Sequence, residues 1–138
     1  MSESDLRLVL IGWGAIGRRV AELLESRGAP VQIAAIGLRE GSDLTDLPEG
    51  IAVLTDPAEL APVSPDLVVE AAARNCVAGW GRAALDMGCD FAVTSTSAFV
   101  DEALFAELRA LARKKRAHLV IPPGALGGID ALSAAARL

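Results

Sequence analysis

The chain has 138 residues, with 13 Lys and Arg against 18 Asp and Glu, for a formal charge of -5; its pI is near 4.8. That balance excludes nucleic acid as a default partner, because phosphate recognition needs concentrated positive charge. With 52% hydrophobic and 22% charged residues, the composition is that of one folded domain rather than a disordered chain, and no apolar run reaches the roughly 18 residues of a membrane span. The acidic start Ser2-Glu3-Ser4-Asp5 lacks the basic region of a secretory signal and predicts a cytoplasmic protein.

Apolar runs of strand length alternate with segments of helical period. Residues 6–11 read as a first strand that runs straight into Gly12. From 15 to 27 the apolar positions Ile16, Val20, Leu23 and Leu24 recur at helical spacing, and Gly28 supplies the stop. Residues 31–36 are a second strand, 37–50 a loop, 51–54 a short third strand, and Asp56-Pro57 opens a helical turn. A Pro-rich connection at 61–65 leads to a fourth strand at 67–72, a helix at 75–87 closed by Gly88, and a fifth strand at 91–94. Asp101 is the predicted cap of a long helix that faces the core with Leu104, Leu108 and Leu111 and ends in the basic cluster 113–116. A sixth strand at 118–121, a turn at 122–124 and the start of another helix from Gly127 complete the order.

Nearly unbroken apolar strands separated by helices require a sheet covered on both faces. Right-handed crossovers then wind it into a doubly wound, mostly parallel α/β domain of the Rossmann type.

Between the first strand and the first helix stands Gly12-Trp13-Gly14-Ala15-Ile16-Gly17, a G-x-G-x-x-G. In that position Gly12 allows a tight turn, Gly14 lets the backbone approach a pyrophosphate, and Gly17 lets the helix pack close to the sheet. The free N–H groups from Ala15 onward then favour the anion. The expected ligand is a nicotinamide dinucleotide; the bland alternative is a glycine-rich turn with no ligand. Trp13 reads as a packing residue beside the loop. An NAD site usually ends its second strand in a carboxylate, but here Gly37-Leu38-Arg39-Glu40 follows. Arg39 is suited to a 2′-phosphate, which predicts that NADP binds at least as well as NAD.

In open α/β sheets ligands sit outside the carboxyl ends of the strands. That puts Ala72, Ala73, Arg74 and Asn75 after strand four, Ser95 to Ser97 after strand five, and Gly124-Ala125 after strand six on the nicotinamide side. Ser95 and Thr96 are candidate hydrogen-bonding groups for a ribose or amide, and Arg74 for a dicarboxylic substrate. Cys76 and Cys89 have no CxxC spacing and read as reduced thiols. His118 is the only histidine; it reads as a structural or surface residue, and no metal set is assembled around it.

Three segments carry a resemblance: residues 67–72 (Leu-Val-Val-Glu-Ala-Ala), residues 94–101, and Pro123-Gly124-Ala125-Leu126-Gly127-Gly128-Ile129-Asp130-Ala131-Leu132. With the glycine turn they resemble the L-aspartate dehydrogenase family over essentially the whole chain. Ser97 stands where that pattern commonly has Gly. The resemblance implies an N-terminal Rossmann half and a C-terminal half that completes the active site. It also implies interconversion of L-aspartate with iminoaspartate, or oxaloacetate plus ammonia, using NAD or NADP, and Ala125 as a nicotinamide-side contact. The family's catalytic His and a second cofactor-binding Asn have no counterpart here, so residues 1–138 are expected to be a single NAD(P)-binding domain. Residues 124–138 would then be the junction to a catalytic half, and no catalytic residue is assigned. The apolar segment 129–138 predicts a homo-oligomer, a C-terminal catalytic partner or a disordered tail. Two other readings stay open: a related amino-acid or aldehyde dehydrogenase of the homoserine dehydrogenase type, and a non-catalytic module that senses NAD(P) or docks a partner.

Overall fold

The computed structural model describes residues 5–123 and 132–136. Six parallel strands form one sheet: β1 (Leu6–Ile11), β2 (Val31–Gly37), β3 (Ala52–Leu54), β4 (Leu67–Glu70), β5 (Asp90–Val93) and β6 (Leu119–Val120). Their order is β3-β2-β1-β4-β5-β6. The chain therefore builds outward from β1 in one direction, then returns to its other side, and this reversal fixes where a ligand can enter. The predicted doubly wound sheet is what forms.

Helices α1 (Ala15–Ser26), α2 (Leu60–Val63), α3 (Val77–Asp86) and α4 (Glu102–Lys115) make four of the connections. The segment between β2 and β3 is loop, as the Gly, Ser and Pro content predicts. Part of the expected Pro-rich connection at 61–65 is instead helical. Asp56 accepts the Ala58 N–H at 2.8 Å while Glu59 accepts the N–H groups of Thr55 and Asp56 at 2.7 and 3.0 Å. This reciprocal cap starts a 3₁₀ turn that α2 continues. Asp101 caps α4 as expected, accepting the Leu104 N–H at 3.1 Å. Strand four ends two residues early, at Glu70, because Ala71 and Ala72 turn out of the ladder into the loop against Gly12.

One face of the sheet carries Val9, Ile11, Val68, Phe91 and Val93, all packed in a single core with Trp80, Leu85 and Leu108 of α3 and α4. Gly81 allows that approach: a Cβ there would stand 2.8 Å from Phe91 Cε1 and 3.1 Å from Leu108 Cδ1. On the other face Leu8, Leu10 and Ile36 are buried, and α1 meets it through Gly17. Leu67, Val69 and Ala92 on that second face are only half-buried, so β4 and β5 alternate in burial despite their unbroken apolar sequence. Ile16 departs from the predicted helix face. It is 56% exposed, because it sits in the first turn of α1, at the mouth of the sheet edge. The expected turn and helix from 124 onward fall largely outside the described residues.

Leu108 is fully buried between Gly81 and Phe91. Leu108→Ala is expected to lower unfolding free energy by about 2–5 kcal/mol, the usual cost of a buried leucine cavity. Urea denaturation measures it, and a loss below about 1 kcal/mol would contradict this packing.

Candidate functional site

The three glycines of the turn differ in what the protein asks of them. Gly12 has φ +99°, and a Cβ there would stand 2.7 Å from the Ala71 carbonyl oxygen and 2.9 Å from the Ala72 Cα. A Cβ at Gly17 would collide with the Gly12 carbonyl oxygen and stand 3.4 Å from Leu10 Cδ2. Both are thus dictated by the fold, one by the turn and the other by the seating of α1. Gly14 is not. Its φ is an ordinary -84°, and among the described residues no atom lies within 4 Å of the Cβ it lacks. The described residues leave the space outside Gly14 open.

That open space faces the start of α1. The first intrahelical bond runs from the Arg18 N–H to the Gly14 carbonyl at 3.0 Å, so the N–H groups of Ala15, Ile16 and Gly17 precede the helical ladder. Among the described residues no side chain caps this end, and the first turn holds no acidic residue. α4, by contrast, carries both the Asp101 cap and Glu102 in its first turn. The α1 terminus therefore presents uncompensated donors and the positive end of its dipole to the outside.

A cleft of about 430 Å³ opens at the same point, with Gly12, Gly14, Arg39, Ala72 and Ala73 among its walls. Five of the ten predicted cofactor residues thus come together. Gly37 explains what is absent from the end of β2: a Cβ there would stand 2.5 Å from Ile11 Cδ1 and 3.2 Å from the indole of Trp80. A carboxylate at the place where an NAD site ordinarily carries one would have to displace the Ile11 and Trp80 side chains. Arg39 lines the cleft two residues on and makes no ion pair with any described carboxylate. The loop that holds it is tied to the glycine turn. The Trp13 indole N–H donates to the Asp46 carbonyl at 2.9 Å, and Arg18 bridges the Trp13 carbonyl and the Asp46 carboxylate. Trp13 is a packing residue, as predicted, and also a wall of the cleft.

The sequence reading missed Glu70. It is fully buried, the one charged residue in the described core. Oε1 accepts the Ala72 N–H at 2.8 Å and the Ser95 hydroxyl at 2.8 Å, and Oε2 accepts the Ser95 N–H at 3.0 Å. The loops that follow β4 and β5 are therefore joined through one carboxylate. The available signal was a lone acid inside an apolar strand, since Glu, when fully buried, is nearly always partnered. Ser95, expected as a ligand contact, directs its hydroxyl proton at Glu70 and does not line the cleft.

Of the other predicted residues, Ala15, Ile16 and Gly17 lie in the first turn of α1, and Ala125 lies outside the described residues. Arg74 lines a neighbouring cavity with Ser97 and Asp101. His118 sits at the opposite, amino-terminal edge of the sheet, where its N–H and Nδ1 meet the Asp90 carboxylate at 2.8 and 3.1 Å. It is structural. Both cysteines are free; burial, the larger effect, together with the Asp90 and Asp66 carboxylates pushes the Cys89 thiol up to about 12.

A glycine corner and an uncapped helix start at the reversal of strand order define a dinucleotide-binding α/β domain. This chain belongs to the family of homoserine dehydrogenase NAD-binding domains, which it matches over residues 12–122. It is 58% identical over 139 residues to the L-aspartate dehydrogenase of Brucella anthropi, covering 100% of this chain and 52% of that protein. Aspartate dehydrogenase from Thermotoga maritima superposes with a TM-score of 0.65 at 26% identity, over 94% of this chain and 50% of the other. Amine dehydrogenase from Mycobacterium smegmatis gives 0.70 at 32% identity, over 85% and 39%. The chain spans about half the length of the curated relatives it matches. Among the described residues no helix is long and apolar enough to cross a membrane.

The glycines make a stability prediction. Gly12→Ala combines a left-handed φ with a backbone collision and should cost more than about 2 kcal/mol, whereas Gly14→Ala should stay within about 1 kcal/mol of the wild type. Paired thermal melts measure both, and equal losses would contradict the distinction.

Proposed function

We propose that this chain is the NAD(P)-binding domain of an aspartate dehydrogenase-like oxidoreductase. The reaction is hydride transfer between a nicotinamide dinucleotide and L-aspartate or iminoaspartate (oxaloacetate plus ammonia). The dinucleotide part is carried by Gly14: neither its φ nor any neighbour among the described residues requires glycine, which suits a diphosphate approaching the backbone there. The aspartate part rests on the relatives, foremost the 58% identity to the Brucella enzyme.

When bound, the nicotinamide supplies the hydride donor or acceptor. This chain's residues bind and orient it. The N–H groups of Ala15, Ile16 and Gly17 hold the diphosphate, with Gly12 and Gly14 giving it access. The Arg39 guanidinium pairs with a 2′-phosphate, and the closed position at Gly37 removes the usual acceptor for the 2′-hydroxyl, so NADP binds at least as tightly as NAD. Ala72 and Ala73 leave room for the nicotinamide ribose, and Ser95 and Ala125 belong to the same side. A small dicarboxylic amino acid is bound together with the half of the relatives that this chain does not match, in a cytoplasmic homo-oligomer or with a C-terminal catalytic partner. Its iminoaspartate product would feed NAD biosynthesis. The family's homoserine dehydrogenase description favours a second reading, a related amino-acid or aldehyde dehydrogenase. Turnover of a substrate panel by the longer protein separates the two.

Fluorescence titration of the purified chain with NADPH and NADH tests the cofactor reading. NADPH is expected to bind at least as tightly, and a tenfold preference for NADH would contradict it. Arg39→Ala should weaken NADPH about tenfold and leave NADH within about twofold, since charge-assisted bonds to one phosphate are lost. Gly14→Ala should weaken both about tenfold or more, because a methyl then stands where the diphosphate approaches.

A further inference from the structure

Burying a carboxylate is costly unless every lone pair it offers is used well. Glu70 is 0% exposed and lies at the last ladder position of β4, opposite Ile11 on one side and Val93 on the other. Its three acceptor contacts all go to loop residues beyond the strands, to Ala72 after β4 and Ser95 after β5. None goes to the glycine turn or to the β2 side of the cleft. The acid thus sets the separation of two loops and leaves the other half of the site to the glycine corner and Arg39.

A dinucleotide lying across the reversal of strand order puts one nucleotide over β1, β2 and β3 and the other over β4 and β5. The adenosine half falls on the Arg39 side. We infer that Glu70 is a positioning residue for the nicotinamide half of the cofactor, acting through Ala72 and Ser95 and touching no ligand itself. This rests on the dinucleotide reading of the cleft and adds to it a division of labour between the two halves.

The chemistry of the clamp makes the carboxylate irreplaceable by its own amide. With Gln at this position, oxygen in the Oε1 place accepts from Ala72 N–H and the Ser95 hydroxyl but turns an NH₂ toward the Ser95 N–H. In the reverse orientation the NH₂ faces the Ala72 N–H. Either way one partly buried backbone donor loses its acceptor, and the loop that carries it shifts. Ser95→Ala removes only the hydroxyl contact and keeps both backbone bonds.

The test is the ratio of two affinities. Wild type, E70Q and S95A are titrated with NADPH and with 2′-phospho-ADP, which lacks the nicotinamide and its ribose. E70Q is expected to weaken NADPH about tenfold and 2′-phospho-ADP less than about twofold, with S95A moving the ratio the same way by about threefold. Equal losses for the two ligands would mean a merely structural role and overturn the inference, as would no change in either. If E70Q fails to fold, the S95A ratio decides: a shift supports the inference, and an unchanged ratio overturns it. Wild type that binds neither ligand defeats the dinucleotide reading itself, and the positioning role with it. Wild type that binds both, with an unmoved ratio in the variants, defeats only the role of Glu70.

Discussion

The architecture turns on a backbone-to-backbone approach. The corner after β1 presses against the loop after β4 so closely that Gly12 has room for no side chain beside Ala71 and Ala72, and Gly17 none beside the Gly12 carbonyl. This contact aims α1 at the gap between β1 and β4. Once it is made, the first N–H groups of the helix, the end of β2 and the end of β4 converge on one cleft. A methyl at either glycine would force the helix away from the sheet and the corner off β4, and the site would lose its geometry before any ligand arrived.

Around that corner the cleft has two differently built walls. On the β2 side, Ile11 and Trp80 crowd position 37, and Arg39 lines the cleft on a loop fastened through Trp13 and Asp46. That wall is exposed and charged, and its hydrogen bonds compete with water. On the β4 and β5 side the link is a single buried acid, Glu70, whose partly buried contacts are more sheltered from water, so that a missing partner is costlier there. In the proposed reading the β2 wall would discriminate between phosphate and hydroxyl, and the β4 wall would fix a ring in place. Both follow from strand order alone, since the reversal at β1 separates the residues that build them.

The order of strands and helices could be read from the chain because each element is signalled locally. Examples are the apolar run that meets Gly12, the Asp56-Pro57 start, and the Asp101 cap with its leucines at helical spacing. The glycine turn was legible for the same reason, and so was Arg39. What escaped depends on pairs far apart in sequence. Glu70 meets Ser95 across 25 positions and Trp13 meets Asp46 across 33, and no periodicity reports either. The exposure of Ile16 and the half-buried second face of β4 and β5 escaped for a related reason: hydrophobic pattern says which residues prefer cover, not whether an element arrives to cover them. Gly14 and Gly12 look alike in the motif, and only their surroundings tell a glycine the fold needs from one it does not.

The most direct test of the central claim is a crystal structure of the chain with NADPH. The account predicts diphosphate oxygens within hydrogen-bonding distance, about 2.7–3.2 Å, of backbone N–H groups in the first turn of α1, with the open side of Gly14 facing them. A coenzyme bound elsewhere, or a side chain occupying the space outside Gly14, would contradict it.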